Sequence, residues 1–256
     1  MGCDTEGEVI TRKNGGQADV QIVVVVDDEA KTWRMLPIDR ASMVLYEVLD
    51  ENGKSKGMTN GQITLAHAYG SWEDGSLNVT RTVSRMLANQ RIDGYFDMNM
   101  EAVPILNDAV GGVTVRIETD FSGIDDSLKM GEEITLTGEQ AVTFVRLRKT
   151  VDDGTNAARM KRQQAYLKGL IKQIKGLSSD EILDLYDNLM DYSVTNMGSG
   201  DIVDLADMAR QYTQLENIEI EGTYDDSGRF RAFQIDEDSL QHVILELFYT
   251  RESKEG

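Results

Sequence analysis

Hydrophobic and polar positions along the chain alternate between short apolar runs and longer segments of helical period. Residues 20–26 (VQIVVVV) predict a buried strand, and residues 31–36 predict its hairpin partner, which Pro37 is expected to end. Residues 50–61 hold three glycines and are predicted to form a mobile loop. Further strands are predicted at 95–98 and 113–117, and helices at 62–69, 76–90, 100–110, 138–145, 158–175, 201–212 and 238–250. Strands separated by helices favour an α/β fold with a mixed central β-sheet flanked by helices.

The length and the residue composition fit one large domain, or one domain with a small lobe. With 256 residues, of which 40% are hydrophobic, the chain can bury a core of its own, and we expect a single domain over 1–256. Its one cysteine, Cys3, excludes an intramolecular disulfide and a zinc site built from several cysteines. No apolar run reaches the length of a membrane span, and residues 1–19 lack the core of a signal peptide, so a soluble piece is expected.

Charge is distributed unevenly. The chain holds 26 Lys+Arg and 45 Asp+Glu, for a net charge of -19, which argues against binding the phosphate backbone of a nucleic acid. Residues 146–175 are the exception, because they carry nine basic side chains against two acids, Asp152 and Asp153. A basic island in so acidic a chain predicts a local anionic ligand.

The basic island begins at the end of a predicted helix. Thr137 and Gln140 match a capping box, so a short helix should start at Gly138. If that helix continued, Arg146 and Arg148 would point about 200° apart; if the backbone becomes extended there, both point to one side and form a clamp. Paired guanidinium groups suit phosphate oxygens, although an exposed Arg-x-Arg is more often a solvated surface.

The following helix, 158–175, divides into three faces. A core-facing arc is predicted for Met160, Leu167, Leu170, Ile171 and Ile174. One flank carries lysines, which a solvated surface explains adequately: Lys161, Lys168, Lys172 and Lys175. The other flank carries Arg159, Gln163 and Tyr166, and its first two residues lie near the helix N-terminus, where the helix dipole favours an anion. Arg146, Arg148 and Arg159 are therefore candidates to converge on one ligand.

Outside the island, the residue types that often mark sites have plainer interpretations. His67 and His242 lack metal-ligand spacing and are interpreted as structural or surface histidines. Trp33 and Trp72 are interpreted as packing residues in preference to a sugar or lipid site.

Several spaced motifs occur together along almost the whole chain. They are GCDTE, ADVQIVVVV, LPIDR, QITLAHAYG, AVGGVTV, LTGEQAVTFVRLRK, NAARMKRQQAYLKGLI and VTNMGSGDIVDLA. In this combination the chain resembles the extracytoplasmic domain of the LytR–CpsA–Psr family, the cell-wall glycopolymer phosphotransferases of mostly Gram-positive bacteria. The resemblance implies a three-layer domain, an N-terminal membrane anchor outside this sequence, and a site at the outer face of the membrane or in the cell wall. It further implies transfer of a polyprenyl-pyrophosphate-linked glycan to peptidoglycan, with Mg²⁺ or Mn²⁺ as the metal ion, and a pyrophosphatase side activity.

The family's site residues are carried over where the motifs match. Its arginine pair falls on Arg146 and Arg148, and the arginine and glutamine of its next helix fall on Arg159 and Gln163. The two metal-side aspartates fall on Asp4 and Asp19. The resemblance implies that the first four bind pyrophosphate and that the two aspartates bind the metal ion.

Asp39 and Arg40 fall at the end of the LPIDR motif. Asp39 is the candidate to deprotonate the acceptor hydroxyl, with Arg148 as the second candidate catalytic residue, and Arg40 is a candidate replacement for a pyrophosphate-binding arginine.

Three positions depart from the family pattern by losing an arginine. They are Glu6, Gln17 and Ile38, and Gln62 and Thr64 replace a lysine and an asparagine at the start of the helical stretch. Arg40, Arg12 or Lys13 could supply the missing charge. Two hypotheses follow: a metal-dependent glycopolymer phosphotransferase, or an altered relative that binds lipid phosphate or wall glycan in a regulatory or scaffolding role.

Overall fold

The computed structural model describes residues 1–3, 16–147 and 156–249. Contacts within the chain cluster into two compact units. The first comprises Met1–Asn99, Ser193–Met197 and Gln211–Gly256, and the second comprises Met100–Tyr192 and Gly198–Arg210. The single domain expected over 1–256 stays a prediction. Among the described residues, no helix has both the length and the apolar character that crossing a membrane requires.

The elements follow one another in mixed order along the chain. The strands are β1 (Gly2–Cys3), β2 (Ala18–Asp27), β3 (Thr32–Ile38), β4 (Met43–Leu49), β5 (Ser55–Gln62), β6 (Phe96–Asn99), β7 (Val113–Arg116), β8 (Glu133–Leu136), β9 (Ser193–Thr195), β10 (Thr213–Gln214), β11 (Gly222–Asp225) and β12 (Ala232–Ile235). The helices are α1 (Trp72–Met86), α2 (Ala102–Ala109), α3 (Gly138–Arg146), α4 (Asn156–Ile174), α5 (Ser179–Leu189), α6 (Ser199–Gln211) and α7 (Glu237–Phe248). Two short 3-10 helices span Ile63–Ala68 and Met190–Tyr192.

The first unit is built on a six-stranded mixed sheet in the order β10-β3-β2-β1-β6-β9. β2 pairs antiparallel with β1 and β3, whereas β1 pairs parallel with β6. This confirms the predicted α/β fold with a mixed central sheet flanked by helices. Pro37 does not end its strand as expected: it lies inside β3 opposite Ile22. The proline is tolerated because β10 pairs with β3 only at Thr32 and Trp33, which leaves Pro37 beyond that pairing.

The loop predicted for 50–61 is wrong for most of its length, because β5 pairs with β4 in an antiparallel hairpin. β4 is apolar enough to pack on the core, but β5 (SKGMTNGQ) is mostly exposed and carries no hydrophobic alternation. The turn is closed by Asp50, whose Oδ1 accepts hydrogen bonds from the backbone amides of Asn52 and Lys54. Backbone pairing with its neighbour, and not its own pattern, makes β5 a strand.

Helix α1 begins four residues earlier than predicted, at a capping box between Ser71 and Asp74. Residues 62–69, predicted as the start of a helix, form the 3-10 helix that precedes it. The core of the first unit gathers around this helix and the sheet, with fully buried side chains from Leu36, Ile63, Val79, Leu87 and Val243.

The second unit packs helices against the hairpin of β7 and β8. The predicted capping box at Thr137 and Gln140 is confirmed and starts α3. Phe121 and Phe144 stack with their ring centroids 5.9 Å apart in the centre of this unit.

The predicted core face of α4 is wrong by about a quarter turn. The buried positions are Arg159, Arg162, Tyr166 and Leu170, while Met160, Leu167, Ile171 and Ile174 are only partly buried. Gly169 explains the rotation, since a Cβ there would lie 2.7 Å from a Val113 side-chain carbon and 2.8 Å from the Thr114 carbonyl oxygen. The helix thus packs tightly on β7 through a glycine. The lysine flank is exposed as expected at Lys161, Lys168 and Lys172.

Candidate functional site

The first group of predicted site residues lies where β2 begins and β3 ends. The pairing of Gln21 with Ile38, continued by two residues, sets Asp19 opposite Arg40. Arg40 Nη1 lies 2.9 Å from Asp19 Oδ1, with side-chain exposures of 18% and 13%. This sheltered ion pair joins a predicted metal ligand to a predicted pyrophosphate ligand.

Arg40 also contacts two positions at which the sequence departs from the family pattern. Its Nη2 donates to Gln17 Oε1 at 2.6 Å and to Thr64 Oγ1 at 3.3 Å. The guanidinium group therefore lies beside the side chain at position 17, where the resemblance predicts an arginine. Ile38, by contrast, is 4% exposed and belongs to the hydrophobic core, so this position contributes no charge.

Asp39 is almost buried, at 8% exposure, and both of its oxygens accept hydrogen bonds. Oδ1 accepts from the Ala41 amide at 2.7 Å, and Oδ2 accepts from the hydroxyl of Tyr224 in β11. Arg231 stacks on the ring of Tyr224, with its Cζ 4.0 Å from the ring centroid. Asp39 thus closes the turn that orients Arg40, and Tyr224 is a contact that the sequence did not suggest.

The second group of predicted residues lies at the junction of α3 and α4 in the other unit. α3 ends at Arg146, and Leu147 is extended (φ -60°, ψ 138°), which corresponds to the second of the two backbone alternatives considered for Arg-x-Arg. Arg146 is exposed, whereas Arg159 is 7% exposed. Arg148 lies outside the described residues, so a clamp formed with Arg146 stays a prediction.

The end of α3 is held by side chains of α4. Arg162 is 5% exposed; its Nε donates to the Phe144 carbonyl at 2.9 Å, and its Nη2 donates to the Leu147 carbonyl. Gln163 Nε2 donates to the Val145 carbonyl at 3.1 Å. The last carbonyls of a helix have no partner within it, and these donors satisfy them. Arg162 is not among the residues predicted from the sequence; the signal that identifies it is its proximity to a helix end whose carbonyls lack donors.

The predicted site residues thus fall into three sets. Asp19, Asp39 and Arg40 come together at the ends of β2 and β3. Gln163 contacts the helix end that carries Arg146, and Arg159 lies one turn before Gln163 in α4. Asp4 and Arg148, together with the departure Glu6 and the possible replacements Arg12 and Lys13, lie outside the described residues.

A separate polar cluster lies in the interior of the first unit around Asp97 of β6. Asp97 Oδ2 accepts from His67 Nε2 at 2.6 Å, Ser76 Oγ at 2.7 Å and Trp72 Nε1 at 2.9 Å. Cys3 Sγ lies 3.2 Å from Asp97 Oδ1. His67 and Asp97 have no exposed side-chain surface, so this histidine is structural, as expected. Trp72 packs against Cys3 and Ala18, and Trp33 is 4% exposed, so both tryptophans are packing residues.

Burial and hydrogen bonding have opposite effects on the pKa of Asp97, whereas both raise the pKa of Cys3. Burial raises the pKa of the Cys3 thiol, and the nearby carboxylate of Asp97 raises it further. Burial also tends to raise the pKa of Asp97, but the hydrogen bond and charge of His67, with help from Ser76, lower it to about 2. The carboxylate therefore stays ionised and acts as a buried acceptor.

Within residues 1–3, 16–147 and 156–249, the trio of Cys3, His67 and Asp97 is the one set of Cys, His, Asp or Glu ligand atoms close enough to surround a cation. Its geometry is that of a hydrogen-bond network. Two ligand atoms on a tetrahedral zinc ion lie about 3.3 Å apart, whereas the His67 nitrogen and the Asp97 oxygen are 2.6 Å apart.

Asp19 is better suited to a hard cation. Its carboxylate is sheltered at the end of a strand, is anchored by Arg40, and supplies the oxygen donor that Mg²⁺ prefers. The carboxylate oxygens of Asp19 fit the predicted metal ion. Asp4, the second predicted ligand, lies outside the described residues.

The sequence of this chain is similar to those of known proteins. The family model LytR_cpsA_psr matches residues 1–248. Biofilm regulatory protein A of Streptococcus mutans is 32% identical over 187 residues, which cover 70% of this chain and 44% of that protein. Polyisoprenyl-teichoic acid–peptidoglycan teichoic acid transferase TagU of Bacillus anthracis is 31% identical over 179 residues, or 70% of this chain and 52% of the relative. The chain thus spans about half the length of these curated relatives.

The fold of this chain is also similar to those of solved structures. TagV of Bacillus subtilis superposes with a TM-score of 0.75 at 25% identity, covering 98% of this chain and 96% of that one. TagT bound to LIIa-WTA has a TM-score of 0.71 at 26% identity, covering 90% of this chain and 84% of that one. With a family model that matches nearly every residue and a shared fold, this chain belongs to the LytR_cpsA_psr family.

Proposed function

We propose that this protein is a phosphotransferase that moves a glycopolymer from a polyprenyl pyrophosphate carrier to a hydroxyl group of peptidoglycan. Family membership and the teichoic acid transferase activity in the name of TagU support this reaction class. The proposed place of action is the extracytoplasmic face of the membrane of a Gram-positive bacterium.

The observation that carries the proposal is the position of Arg40. This guanidinium lies beside Asp19 and Gln17, in the region where the sequence lacks an expected arginine. A cation next to a carboxylate is what a metal-bound pyrophosphate needs, since its oxygens carry several negative charges. Arg40 is therefore the proposed replacement for the arginine that Gln17 displaced.

The reaction exchanges one phosphorus–oxygen bond for another. The acceptor hydroxyl oxygen forms a bond to the glycan-side phosphorus, and the bond from that phosphorus to the bridging oxygen breaks. The electron pair leaves with the bridging oxygen, so that polyprenyl phosphate departs and the hydroxyl proton passes to a base. When water replaces the acceptor, the same bond exchange yields the pyrophosphatase side activity.

Each predicted residue has a role in this scheme. Arg40, Arg146, Arg148, Arg159 and Gln163 are proposed to hold the pyrophosphate and to stabilise charge on its non-bridging oxygens. Gln163 and its neighbour Arg162 also hold the end of α3, which fixes the backbone that leads from Arg146 to Arg148.

The two remaining roles belong to carboxylates. Asp4 and Asp19 are proposed to hold Mg²⁺ or Mn²⁺, which would neutralise charge on the leaving phosphate. Asp39 is the proposed base, kept in place by Ala41 and Tyr224.

Release of phosphate from geranyl pyrophosphate tests the proposal. Turnover should require Mg²⁺ or Mn²⁺ and should fall by at least tenfold in Arg148→Ala and Arg159→Ala, because each charge-assisted contact is worth about 1.5–3 kcal/mol. Lys161→Ala is the matched control, since this exposed lysine lies on the solvated flank of the same helix as Arg159. No turnover by folded protein would refute the enzymatic proposal; turnover that survives both arginine changes would refute the site.

An altered relative that binds without catalysis is the second candidate. It is favoured by one observation: Ile38 is part of the hydrophobic core, so the charge lost at that position is not restored there. For this candidate, geranyl pyrophosphate should bind in an arginine-dependent manner without any release of phosphate.

A further inference from the structure

A basic concavity lies on the first unit, at the C-terminal half of α1 and the turn that follows it. Its volume is about 410 Å³. The residues that line it include three arginines and no acid: Thr80, Arg81, Ser84, Arg85, Asn89, Arg91 and Ile92. We call this concavity the arginine bowl. Three arginines lining one cavity are unexpected on a protein with a net charge of -19.

Helical spacing brings two of the arginines together. Arg81 and Arg85 are four residues apart in α1, so their side chains lie one above the other on the same face. Like charges at this spacing repel each other and destabilise a helix. An anion between the two side chains removes that repulsion.

The third arginine is placed by a tight turn. Ala88 and Asn89 both have positive φ values, 56° and 62°, which lets the chain reverse immediately after the helix. The reversal is fixed by hydrogen bonds from the Asn89 amide to the Ser84 carbonyl at 2.7 Å and from Ser84 Oγ to the Gln90 carbonyl at 2.7 Å. Arg91 is thereby held at the rim of the cavity that α1 forms.

Simpler explanations account for only part of this arrangement. Arg85 lies in the last turn of α1, where a cation complements the helix dipole, and its Nη1 donates to the Leu45 carbonyl at 3.1 Å. Arg91 pairs with Asp93, but both side chains are more than three-quarters exposed, and such a pair stabilises little. Arg81 lies a full turn before the helix end and makes no hydrogen bond or ion pair with any residue in the described ranges. Neither the helix dipole nor an ion pair therefore explains the position of Arg81.

The bowl is separate from the site at Asp19. Trp72, at the start of α1, packs against Ala18, the neighbour of Asp19. Arg85 lies thirteen residues further along the same helix, which corresponds to roughly 20 Å. A single pyrophosphate is too short to reach both places, whereas a polymer with a phosphate in each repeat unit can.

We propose that the arginine bowl is a second binding site for a phosphodiester polymer, which it holds through the anionic oxygens of the repeat units. This inference rests on the proposed function for the identity of the polymer, since the anionic chain would be the glycopolymer being transferred. An open cavity lined by three arginines suits a chain of evenly spaced phosphates better than one deeply enclosed anion.

Calorimetric titration of the full chain with a short poly(glycerol phosphate) oligomer at low salt tests the proposal. In the triple variant R81Q/R85Q/R91Q, affinity should fall by roughly 30-fold, at about threefold for each exposed contact. The matched control K54Q/R116Q/K129Q removes three exposed positive charges elsewhere and should lose less than threefold. Unfolding curves establish that both variants are folded, and turnover of geranyl pyrophosphate should be unchanged in the triple variant.

Three results would overturn the proposal. The first is equal binding by the parent protein and the triple variant, and the second is an equal loss in the charge-matched control. The third is arginine-dependent binding to phosphatidylglycerol vesicles without binding of the oligomer, which would make the ligand a lipid surface. If the parent protein binds the oligomer through these arginines but lacks turnover, the proposed function fails while the bowl stands.

Discussion

Asp97 and Asp19 are aspartates of the same six-stranded sheet, yet their surroundings differ in exposure and in the kind of partner. Asp97 has no exposed side-chain surface, and one of its oxygens accepts three hydrogen bonds from neighbouring side chains. Asp19 retains some exposure and pairs with Arg40, which itself reaches Gln17 at the surface. A carboxylate enclosed by donors stabilises a fold, whereas one beside an accessible guanidinium can exchange partners with a ligand.

The largest effect is expected from removing the enclosed carboxylate. Asp97→Ala should lower the free energy of unfolding by about 3–5 kcal/mol, because it leaves the buried donors of His67, Ser76 and Trp72 without their acceptor. Urea unfolding measures this loss, with Asp93→Ala as an exposed control that should change stability by less than about 0.5 kcal/mol. A loss below about 1 kcal/mol for Asp97→Ala would remove the structural role assigned to this residue.

Replacing Arg40 should have a large effect on activity and a small effect on the free energy of unfolding, in contrast to replacing Asp97. In Arg40→Gln, kcat/KM for phosphate release should fall by about 10–100-fold, since one charge-assisted contact with pyrophosphate is lost. Arg40→Lys keeps the charge without the planar fork and should recover part of this loss. Arg34→Gln is the matched control, because Arg34 lies in β3, the strand that precedes Arg40, and pairs with Glu246 at the surface. Equal activity in Arg40→Gln and Arg34→Gln would contradict the role of Arg40 in binding pyrophosphate.

Acid unfolding tests the enclosed carboxylate of Asp97 in a second way. Because the pKa of Asp97 is lowered to about 2 in the folded state, its stabilising contribution is fully present above the ordinary aspartate pKa near 4. This contribution, on the order of 2 kcal/mol, is lost as the pH falls from about 4 to about 2. Urea unfolding at pH 5 and pH 2.5 should therefore show a smaller acid-induced loss for Asp97→Asn than for the parent chain. An identical pH dependence in both would contradict the lowered pKa.

The smallest effect is expected at Gln17, where the family resemblance predicts an arginine. Gln17→Arg adds a guanidinium beside Arg40, and the repulsion between the two offsets the gain in attraction for pyrophosphate. We expect kcat/KM for geranyl pyrophosphate to change by less than threefold, with Gln17→Met as the uncharged control. A tenfold gain would mean that Arg40 does not replace the missing arginine.

Periodic patterns in the sequence predicted the elements whose own residues specify them. The valine-rich β2, the capping box of α3 and the strand at β7 appear in the structure close to the predicted positions. The helix at α5 and the strand β5 were missed, the latter because its polar sequence becomes a strand only by pairing with β4. The core face of α4 was rotated because a glycine and two buried arginines, which pattern analysis treats as exposed, form its contact surface.

The amino-acid sequence alone determined the family, the mixed α/β fold and the identities of the candidate site residues, because motifs and local periodicity are written in short stretches of chain. Only the tertiary structure decided the partners of these residues. The strand register brought Arg40 to Asp19 and Gln17, and the end of α3 engaged Arg162 and Gln163 in binding backbone carbonyls. A tight turn after α1 likewise placed Arg91 with Arg81 and Arg85. Contacts of this kind depend on distances between separate elements, which no local pattern records.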